Sequence, residues 1–542
     1  MGLPILDTIS VNVKNNTNLP QKVNLLGGTQ DPLGVPPHLL YQWDLSTETY
    51  FGSVTASILI SSTANPIPVL YTVAVNGYNI QAVTFALNSL NLGLFQISGN
   101  IIYVSNDFYI YGALTVNSVA FISSWNTNNT TGSSSASNQI QLPLSSVGVY
   151  NFTVDWGDGT QDTITSWNQT ETLHTYAVAG IYTLELLGTI VDWSFGLALV
   201  NDNQKILSIS NWGQLQFSVN TTNAFTSCTN LNLSTVSDIP DLSATTNLDF
   251  AFANCTSLTT IGNVNSWNTS SITSMIDTFA SSTLFNDNIS SWNTSSVVTM
   301  DSMFLSATSF NQPLNTWNVS NVTNFVSMFS NATAFNQALN SWNVSNAQDV
   351  TGMFSYASTF NQNLSAWNVD NVTNFSGMFV SASSFNQPIF NIVGSNAQNM
   401  SLMFNFATAF NQNISAWNVS NVTNFNNMFR NAVAFNQPIG SWNIGSAQNM
   451  AQMFQSATAF NQNIGTWNVS NVTVFSNFML NKTFGNYSSA NLNAIYNGWS
   501  LLTVQPSIVI SFGTIKYTLA GQAGRNILTG APNNWVITDG GI

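Results

Sequence analysis

A 25-residue repeat is the feature that most restricts how this chain can fold. A tryptophan recurs at this spacing through the second half of the chain, and the only vacancy in its register, Ile392, is still apolar. The tryptophans in register are Trp267, Trp292, Trp317, Trp342, Trp367, Trp417, Trp442 and Trp467. A unit this short has too few apolar groups to bury by itself, so the repeat predicts a solenoid of stacked coils.

Other positions of the repeat keep the same register. One unit, residues 408–432, reads TAFNQNISAWNVSNVTNFNNMFRNA. A Met-Phe pair such as Met303-Phe304 recurs and is followed by an alanine such as Ala307. A phenylalanine that opens an Asn-Gln pair recurs at Phe310, Phe335, Phe360, Phe385, Phe410, Phe435 and Phe460. Stacking would place like rings in columns, each pair adding ~0.5–1.5 kcal/mol beyond burial.

The local pattern within a unit predicts a mixed coil. WNVSNVTNF is rich in β-branched residues and predicts a strand or extended corner, whereas NFxxMFxxA has apolar spacings of three and four, which indicate a short helical turn. Strand pairing would space the coils by roughly 4.8 Å. The asparagine columns, as at Asn311, Asn336 and Asn361, suit ladders in which each amide bonds its neighbour one coil away.

The two cysteines belong to divergent early coils. AFTSCTNLNL (224–233) and AFANCTSLTTI (251–261) place Cys228 and Cys255 in the column that alanine occupies later. We interpret them as buried thiols that act as small apolar groups. A disulfide between stacked coils remains the alternative.

The segments on either side of the coil carry other patterns. Residues 1–112 predict a β-rich domain with strands at ILISS, PVLYTVAV, GLFQISGNIIYVS and FYIYGALTV, one short helix at QAVTFALNSLNLG and a loop at VNLLGGTQDPLGVPP. Residues 483–542 predict a cap, with a helix at SSANLNAIYNGW and a final strand at NNWVITDGGI. Such a cap would prevent end-to-end growth of the coil.

Residues 113–195 predict a β-sandwich. YNFTVDWGDGTQDTI indicates a hairpin with a tight Asp-Gly turn, and LHTYAVAGIYTLELLGTI indicates a second hairpin. The residues Trp156, Gly157, Asp158, Gly159, His174 and Tyr176 resemble the motif of PKD-type immunoglobulin-like domains. The resemblance implies that Asp and Gly shape the turn while His and Tyr pack the returning strand. Asp155 and Asp158 fall short of the six or more oxygens of a calcium site.

These patterns together define the expected architecture. The fold class is mainly β with short helices: an N-terminal β-rich domain, a PKD/Ig-like sandwich, a leucine-rich-repeat-like solenoid and a C-terminal cap. The expected domains are residues 1–112, 113–195, 196–482 and 483–542.

Charge and residue types restrict the function. Only 5% of residues are charged, the net charge is -14, and the seven basic residues are scattered. We therefore expect no nucleic-acid binding. The sequence contains no run of about 18 apolar residues, so we expect no membrane insertion either. The chain has two histidines, His38 and His174, and no zinc spacing. We expect no catalytic residues, no metal, no cofactor and no enzymatic activity.

Longer motifs carry a family resemblance from about residue 114 to the end. VDWGDGT, HTYAVAGIYT, the repeated FNQxLxxWNVSNVTNFxxMF and the terminal WVITDGG resemble bacterial BspA-like surface proteins, whose tandem units are called DUF285 repeats. The resemblance implies a leucine-rich-repeat-like fold that serves adhesion and protein binding. The segments QKVNLLGGTQDP and ALNSLNLGLFQISGNIIYV resemble virion proteins of crAss-like tailed phages. This second resemblance implies that residues 1–112 dock onto other virion proteins and that the coil is displayed.

Three functional hypotheses follow. The first is a virion surface protein, a phage fibre or a capsid or tail decoration, present in many copies, that binds a host-surface glycan or protein or stabilises the particle. It is favoured because the start, MGLPILDTISVNVKNNT, lacks the features of a secretion signal; homo-oligomerisation stays open. The second is a bacterial cell-surface adhesin. The third is a polysaccharide depolymerase, although the coil's acids occupy different repeat columns and predict no cluster: Asp277, Asp287, Asp301, Asp349 and Asp370.

Overall fold

The computed structural model describes residues 120–196, 200–217, 223–394 and 396–542, together with the backbone of nine strands within residues 1–111. The chain forms two compact units, Met1–Ser118 and Val119–Ile542. Strands outnumber helices, so the expected fold class, mainly β with short helices, is confirmed. No helix in the described part is long and apolar enough to cross a membrane.

The first unit contains two sheets. Its strands are β1 (Asp7–Val13), β2 (Gln21–Thr29), β3 (His38–Leu45), β4 (Gly52–Ile58), β5 (Val69–Val75), β6 (Val83–Asn88), β7 (Phe95–Ser98), β8 (Ile101–Val104) and β9 (Phe108–Tyr111). One sheet has the order β4-β1-β6, and the other has the order β3-β2-β5-β9-β8-β7. Neighbouring strands are antiparallel except β5 and β9, which are parallel.

Two predictions for this unit are wrong. The stretch QAVTFALNSLNLG forms no helix across its centre, because β6 runs there and pairs antiparallel with β1, Phe85 lying opposite Val11. The loop expected at 23–37 is not found in its first half, and residues 30–37 lie outside the described residues. Gly27 and Gly28 lie inside β2, where the register shift after Leu25 gives the strand its irregularity.

The strand predictions for the first unit hold where the structure describes them. PVLYTVAV contains β5, GLFQISGNIIYVS forms the β7–β8 hairpin, and FYIYGALTV begins with β9. Of ILISS, only Ile58 falls within β4. Residues 59–62 and 112–116 of these predictions lie outside the described residues.

The second unit begins with an antiparallel sheet packed against a short ribbon. Its strands are β10 (Phe121–Asn126), β11 (Gln139–Gln141), β12 (Leu144–Asp155), β13 (Gln161–Ile164), β14 (Leu173–Thr175), β15 (Ile181–Trp193), β16 (Ile206–Asn211) and β17 (Leu215–Gln216). The sheet order is β13-β12-β15-β10-β16, and β17 pairs parallel with β15. β11 and β14 form the ribbon. Along β10, buried residues alternate with partly exposed ones, so one face of the sheet is buried in the core.

The core continues from this sheet into the coil. β16 is an edge strand of the sheet through β10 and also forms the first parallel bridge of the coil, from Ser208 to Asn232. Trp212 at this junction packs edge-on against Trp267, with ring centroids 5.9 Å apart. The hydrophobic core therefore runs without a break across residue 195, where the sequence predicted a domain boundary.

Successive coils are joined by single parallel bridges instead of continuous strands. Each bridge links equivalent residues of neighbouring coils, as in Asn324 to Asp349, Asp349 to Asn374 and Asn374 to Asn399. The bridge residue lies at the end of the predicted strand WNVSNVTNF. Of the predicted extended corner, only one residue per coil therefore pairs with the next coil as a strand would.

The predicted helical turn in NFxxMFxxA is a run of turns that bonds the next coil. Asn427, Phe429 and Asn431 donate their N–H groups to carbonyls 24 residues on, each at 2.9 Å. Arg430 and Ala432 instead donate to carbonyls three residues back. Asn427 and Asn431 have φ of 57° and 56°, and a left-handed residue at every fourth position cannot continue a helix. The helical prediction is therefore wrong, and the backbone of every other residue holds the stack together.

The C-terminal cap contains two α-helices and two short strands among the described residues. α1 (Ser489–Trp499) begins at Ser488, whose side chain accepts from the N–H of Asn491, which confirms the predicted helix and its start. β18 (Val509–Ser511) pairs parallel with β19 (Val536–Thr538), which confirms the predicted final strand.

The second cap helix, α2 (Leu519–Thr529), was not predicted from sequence. Gly521 and Gly524 lie inside it, and glycine disfavours an isolated helix. A Cβ at Gly524 would lie 2.5 Å from the carbonyl oxygen of Tyr496 in α1. The glycines therefore allow close packing of α2 on α1, and this tertiary contact outweighs their low helix propensity.

Candidate functional site

The repeat tryptophans form a buried column. Their exposed fractions are between 1% and 4% in Trp267, Trp292, Trp317, Trp342, Trp367, Trp417, Trp442 and Trp467. Adjacent rings are nearly parallel, as in Trp342 and Trp367, whose centroids are 6.4 Å apart and planes 3° apart. The Trp367 Nε1–H donates to the carbonyl of Leu339 in the preceding coil at 2.9 Å. The column therefore packs the interior and presents no indole face to a ligand.

A phenylalanine completes the tryptophan column where the repeat lacks a tryptophan. The ring of Phe390 lies between Trp367 and Trp417, with centroid distances of 6.5 Å and 6.0 Å and nearly parallel planes. Ile392, which occupies the vacant position in sequence, is also buried, at 2% exposed. The aromatic stack thus continues through a residue two positions from the one that the register indicates.

The phenylalanines form two further columns that contact each other. Every repeat phenylalanine of the Asn-Gln motif is fully buried: Phe310, Phe335, Phe360, Phe385, Phe410, Phe435 and Phe460. Within one coil, Phe304 stacks on Phe310 with centroids 4.0 Å apart and planes 9° apart. Between coils, Phe354 and Phe379 are 5.6 Å apart. The side-chain columns are thus spaced more widely than the strand distance expected from sequence.

The surface asparagines stabilise the coil itself. Asn311 Oδ1 accepts from the backbone N–H of Asn336 at 2.9 Å and from Gln337 Nε2 at 3.0 Å, and this pattern repeats at the next coil. A second ladder runs from Asn346 Nδ2 to the carbonyl of Ser320 at 2.7 Å. The predicted ladder exists, but asparagine bonds backbone and glutamine instead of asparagine. Because repeat positions serve the stack, departures from the repeat are the candidates for function.

The PKD-like motif comes together as a packed turn. Trp156 is fully buried and its ring stacks on His174 at 4.6 Å, while the Tyr176 hydroxyl donates to the Trp156 carbonyl at 3.0 Å. His174 Nε2 lies 2.9 Å from Asp158 Oδ2. Gly157 has φ of 76°, and a Cβ there would lie 2.4 Å from the carbonyl oxygen of Thr183. These contacts give the motif a structural role.

The carboxylates of that turn are engaged with the chain. Asp155 accepts from Gln161 Nε2 and from the N–H of Gly157, and these bonds lower its pKa. Burial opposes the same effect at Asp158, but hydrogen bonds from Thr160 and His174 lower its pKa. Among the described residues, no group of three or more His, Cys, Asp or Glu side chains is arranged to hold a metal.

Both cysteines are buried free thiols, as interpreted from sequence. Cys255 Sγ lies 3.0 Å from the carbonyl oxygen of Phe225 in the preceding coil. Burial raises the pKa of Cys228 well above its usual value and that of Cys255 to about 12. Neither thiol is therefore suited to act as a nucleophile.

Two buried lysines lie near the ends of the coil. Lys482 takes the alanine position of the last coil, and its Nζ donates to the carbonyls of Ala457 and Phe460 at 2.8 Å and 2.7 Å. Burial lowers its pKa to about 7. Lys205, just before β16, donates to the carbonyls of Ser135, Ala136 and Gln139. Each of these amino groups is thus surrounded by backbone carbonyls, and Lys205 also pairs with Asp202 at 3.4 Å.

Two of the coil's acids, Asp277 and Asp301, lie on adjacent coils. Asp277 donates its backbone N–H to the carbonyl of Asp301 in the next coil at 2.9 Å. Burial, with the negative charges of Asp301 and Asp249, raises the pKa of Asp277 to about 6. These residues occupy different repeat columns, but the backbone bond between adjacent coils brings their charges close enough to interact.

The coil matches a known family of repeats. A family model described as Mycoplasma protein of unknown function, DUF285, matches residues 246–358, 314–408 and 392–494. Together these stretches span slightly less than half of the chain and coincide with the stacked coils and the start of the cap. No curated protein and no solved structure matches the chain. The coil is thus similar to DUF285 repeats, whereas the PKD-like and phage resemblances remain predictions.

Proposed function

We propose that this chain is a non-enzymatic surface protein of a virion, a fibre or a capsid or tail decoration, that displays its DUF285 coil for attachment to a host surface or to stabilise the particle. The observation that supports display most directly is that the coil buries its rings and bonds its surface amides within itself. Its aromatic columns are buried, as at Trp367 and Phe360, and its surface amides bond neighbouring coils, as at Asn336. A rod whose rings are buried and whose surface amides bond its own neighbouring coils suits contact over a long surface.

The location on a virion rests on the N-terminal unit. Its segments QKVNLLGGTQDP and ALNSLNLGLFQISGNIIYV resemble virion proteins of crAss-like phages. In this proposal Met1–Ser118 docks onto other virion proteins, and the second unit, Val119–Ile542, is the displayed part. Repetition of the docking site on a particle would present many copies of the coil.

The location can be tested with antibodies against the coil. We expect gradient-purified particles to contain the full chain by mass spectrometry and to bind gold-labelled antibody at their surface. Detection in the cell envelope, with none in purified particles, would instead establish a cellular adhesin. Attachment is tested separately by incubating the labelled full chain with intact host cells, with unlabelled chain as competitor. Binding that the competitor does not reduce would contradict specific attachment.

One observation favours a second candidate, a polysaccharide depolymerase. Glycosidases use two carboxylates, of which the acid has a raised pKa. Burial raises the pKa of Asp277 to about 6, and its backbone bonds that of Asp301 on the next coil, so Asp277 would be the acid of such a pair. Release of reducing ends from host capsule by the parent chain, lost in Asp277→Asn but kept in Asp287→Asn, would establish this activity. The proposal of a non-enzymatic protein expects no release from any of the three chains.

A further inference from the structure

The cap repeats the layered build of the coil. α1 and β18 form one layer, and α2 and β19 form the next, because β19 pairs parallel with β18 and α2 packs closely on α1. β18 in turn continues the bridges of the coil, from Phe475 to Ile510. In the described part of the chain, α2 and β19 are therefore the last layer of the stack.

The last strand has an open edge. The N–H of Val536 donates to the carbonyl of Ile508 at 2.8 Å, on the side of β18. Successive residues of a strand bond to opposite sides, so the next residue, Ile537, directs its N–H away from β18. Its carbonyl has a long contact of 3.5 Å with Arg525 Nη2. Among the described residues no strand pairs with this edge of β19, so it can accept a further strand.

The side of α2 that points away from α1 is apolar. Gly521 and Gly524 lie on the face that packs against α1. Leu519, which is 75% exposed, Ala523, which is exposed, and Ile527, which is 50% exposed, recur every four residues. The terminal unit of a soluble solenoid presents a polar outer face. The last layer departs from that rule, which indicates that a partner covers it.

The strand side of the same end is apolar as well. The bridge column holds serine, threonine, asparagine or aspartate from Ser274 to Asn449. The next members are Val474, Val509 and Val536, which are 40%, 59% and 59% exposed. Asn449 Oδ1 accepts the N–H two residues on at 3.0 Å, a bond that valine cannot make. The change to valine therefore gives up a hydrogen bond and exposes apolar groups near the open edge.

The charge distribution favours a second copy of this chain as the partner. The net charge is -14, so two copies repel each other over much of their surface. Residues 482–542 carry none of that excess, since they hold Lys482, Lys516 and Arg525 against a single acid, Asp539. Arg525 Nε and Asp539 Oδ2 lie 2.6 Å apart and neutralise each other. Two copies can thus meet at the cap without repulsion.

The first end of the coil is closed to such a contact. β16 forms the first bridge, from Ser208 to Asn232, and pairs with β10 of the sheet on its other edge. The open end of one copy therefore cannot add to the first end of another, which would give a filament. It can meet the open end of a second copy, and that contact gives a closed dimer with two-fold symmetry.

We propose that two copies of this chain bind end to end through α2 and β19, about a two-fold axis that lies across the last layer. The two β19 edges pair antiparallel, so that the N–H of Ile537 donates to the carbonyl of the same residue in the second copy. The apolar side of α2, with Leu519, Ala523 and Ile527, packs against the same side of the other α2. The inference does not depend on the proposed location on a virion.

The test measures the mass of the full chain by light scattering over a range of concentrations. We expect the parent to have twice the mass of one chain. Ala523→Glu places like charges beside the two-fold axis and should raise the dissociation constant of the dimer about tenfold or more. Ala490→Glu makes the same change at an exposed alanine of α1, one layer further in, and should form dimers as the parent does.

Thermal melting separates dimerisation from folding. Glutamate is a good helix former, so Ala523→Glu should stay folded. The melting temperature of the parent should rise with its concentration, because dimerisation stabilises the folded chain, whereas that of Ala523→Glu should not. Leu519→Glu is a second variant, in which an acid at the first residue of α2 favours the helix, and it should also give monomers.

Cysteine variants locate the contact. Ala523→Cys should form a disulfide between two copies under mild oxidation, because this position lies beside the axis, and Ala490→Cys should not. The native Cys228 and Cys255 are buried and do not interfere.

Four results would overturn the inference. A parent that is monomeric at every concentration would show that no second copy covers this end. Dimers that persist in both Ala523→Glu and Leu519→Glu would place the contact on another surface. Equal loss of dimers in Ala490→Glu would show that the effect is not specific to the last layer, and the absence of the disulfide in Ala523→Cys would exclude the two-fold arrangement.

Discussion

Removal of one indole from the tryptophan column tests the stacking directly. In Trp367→Ala the lost side chain is only 3% exposed and lies between Trp342 and Phe390. Truncation of a buried tryptophan costs about 3–5 kcal/mol. The carbonyl of Leu339 also loses its 2.9 Å bond from Nε1, and a buried acceptor left unpaired costs about 1–3 kcal/mol. We expect Trp367→Ala to lower the free energy of unfolding by at least about 4 kcal/mol.

Denaturant unfolding followed by circular dichroism measures this loss. The midpoint should fall while the slope stays constant, because the same surface is exposed on unfolding. Trp367→Phe keeps a ring in the stack and should lose less. Ser365→Ala changes an exposed side chain of the same coil and should stay within about 0.5 kcal/mol of the parent. Trp367→Asp should lose more than Trp367→Ala because it also buries a carboxylate.

Two results would refute the reasoning. If Trp367→Ala unfolds at the midpoint of the parent, the column does not stabilise the coil. If Ser365→Ala loses as much as Trp367→Ala, the effect belongs to the coil in general and not to the indole.

Three further predictions concern departures from the repeat. Phe390→Ala should cost about 3–5 kcal/mol in denaturant unfolding, and clearly more than Ile392→Val at about 0.5–1.5 kcal/mol, because the ring and not the register completes the column; equal losses would contradict this. Since burial lowers the pKa of Lys482 to about 7, the unfolded chain binds the extra proton between pH 7 and 10.5. The free energy of unfolding should therefore rise with pH across that interval, and Lys482→Met should remove this contribution; an identical pH profile in the variant would refute it. Cys228 and Cys255 should react with a chromogenic thiol reagent only after unfolding, since burial raises the pKa of both; rapid reaction of the native chain would show that they are accessible.

Much of the coil could be predicted from sequence because identical residues recur at one spacing. The buried tryptophan and phenylalanine columns follow from that period, since no unit can bury its own rings. A different signal, the serine at the start of SSANLNAIYNGW, located the cap helix α1, whose first residue follows the capping Ser488. It failed at α2, where Gly521 and Gly524 suggest no helix until the close packing on α1 is known.

The hydrophobic pattern could not predict the backbone conformation of the coil. Apolar spacings of three and four indicate a helix, yet Asn427 and Asn431 are left-handed and their N–H groups bond the next coil. The competing hydrogen bonds exist only between coils, so a single unit gives no sign of them. The left-handed backbone and the exposed rings of Tyr356 and Phe406 could not be predicted either, because exposure and φ are properties of the folded chain.

The amino-acid sequence by itself determined that equivalent residues of successive units must stack, since the period sets which side chains lie over one another. Only the tertiary structure decided which side chains meet across coils. It brought Asp277 beside Asp301, placed Phe390 in the gap of the tryptophan column and surrounded the ammonium of Lys482 with carbonyls. The physical reason is that a period fixes positions along the coil, whereas contacts between different columns depend on how each turn of backbone is folded.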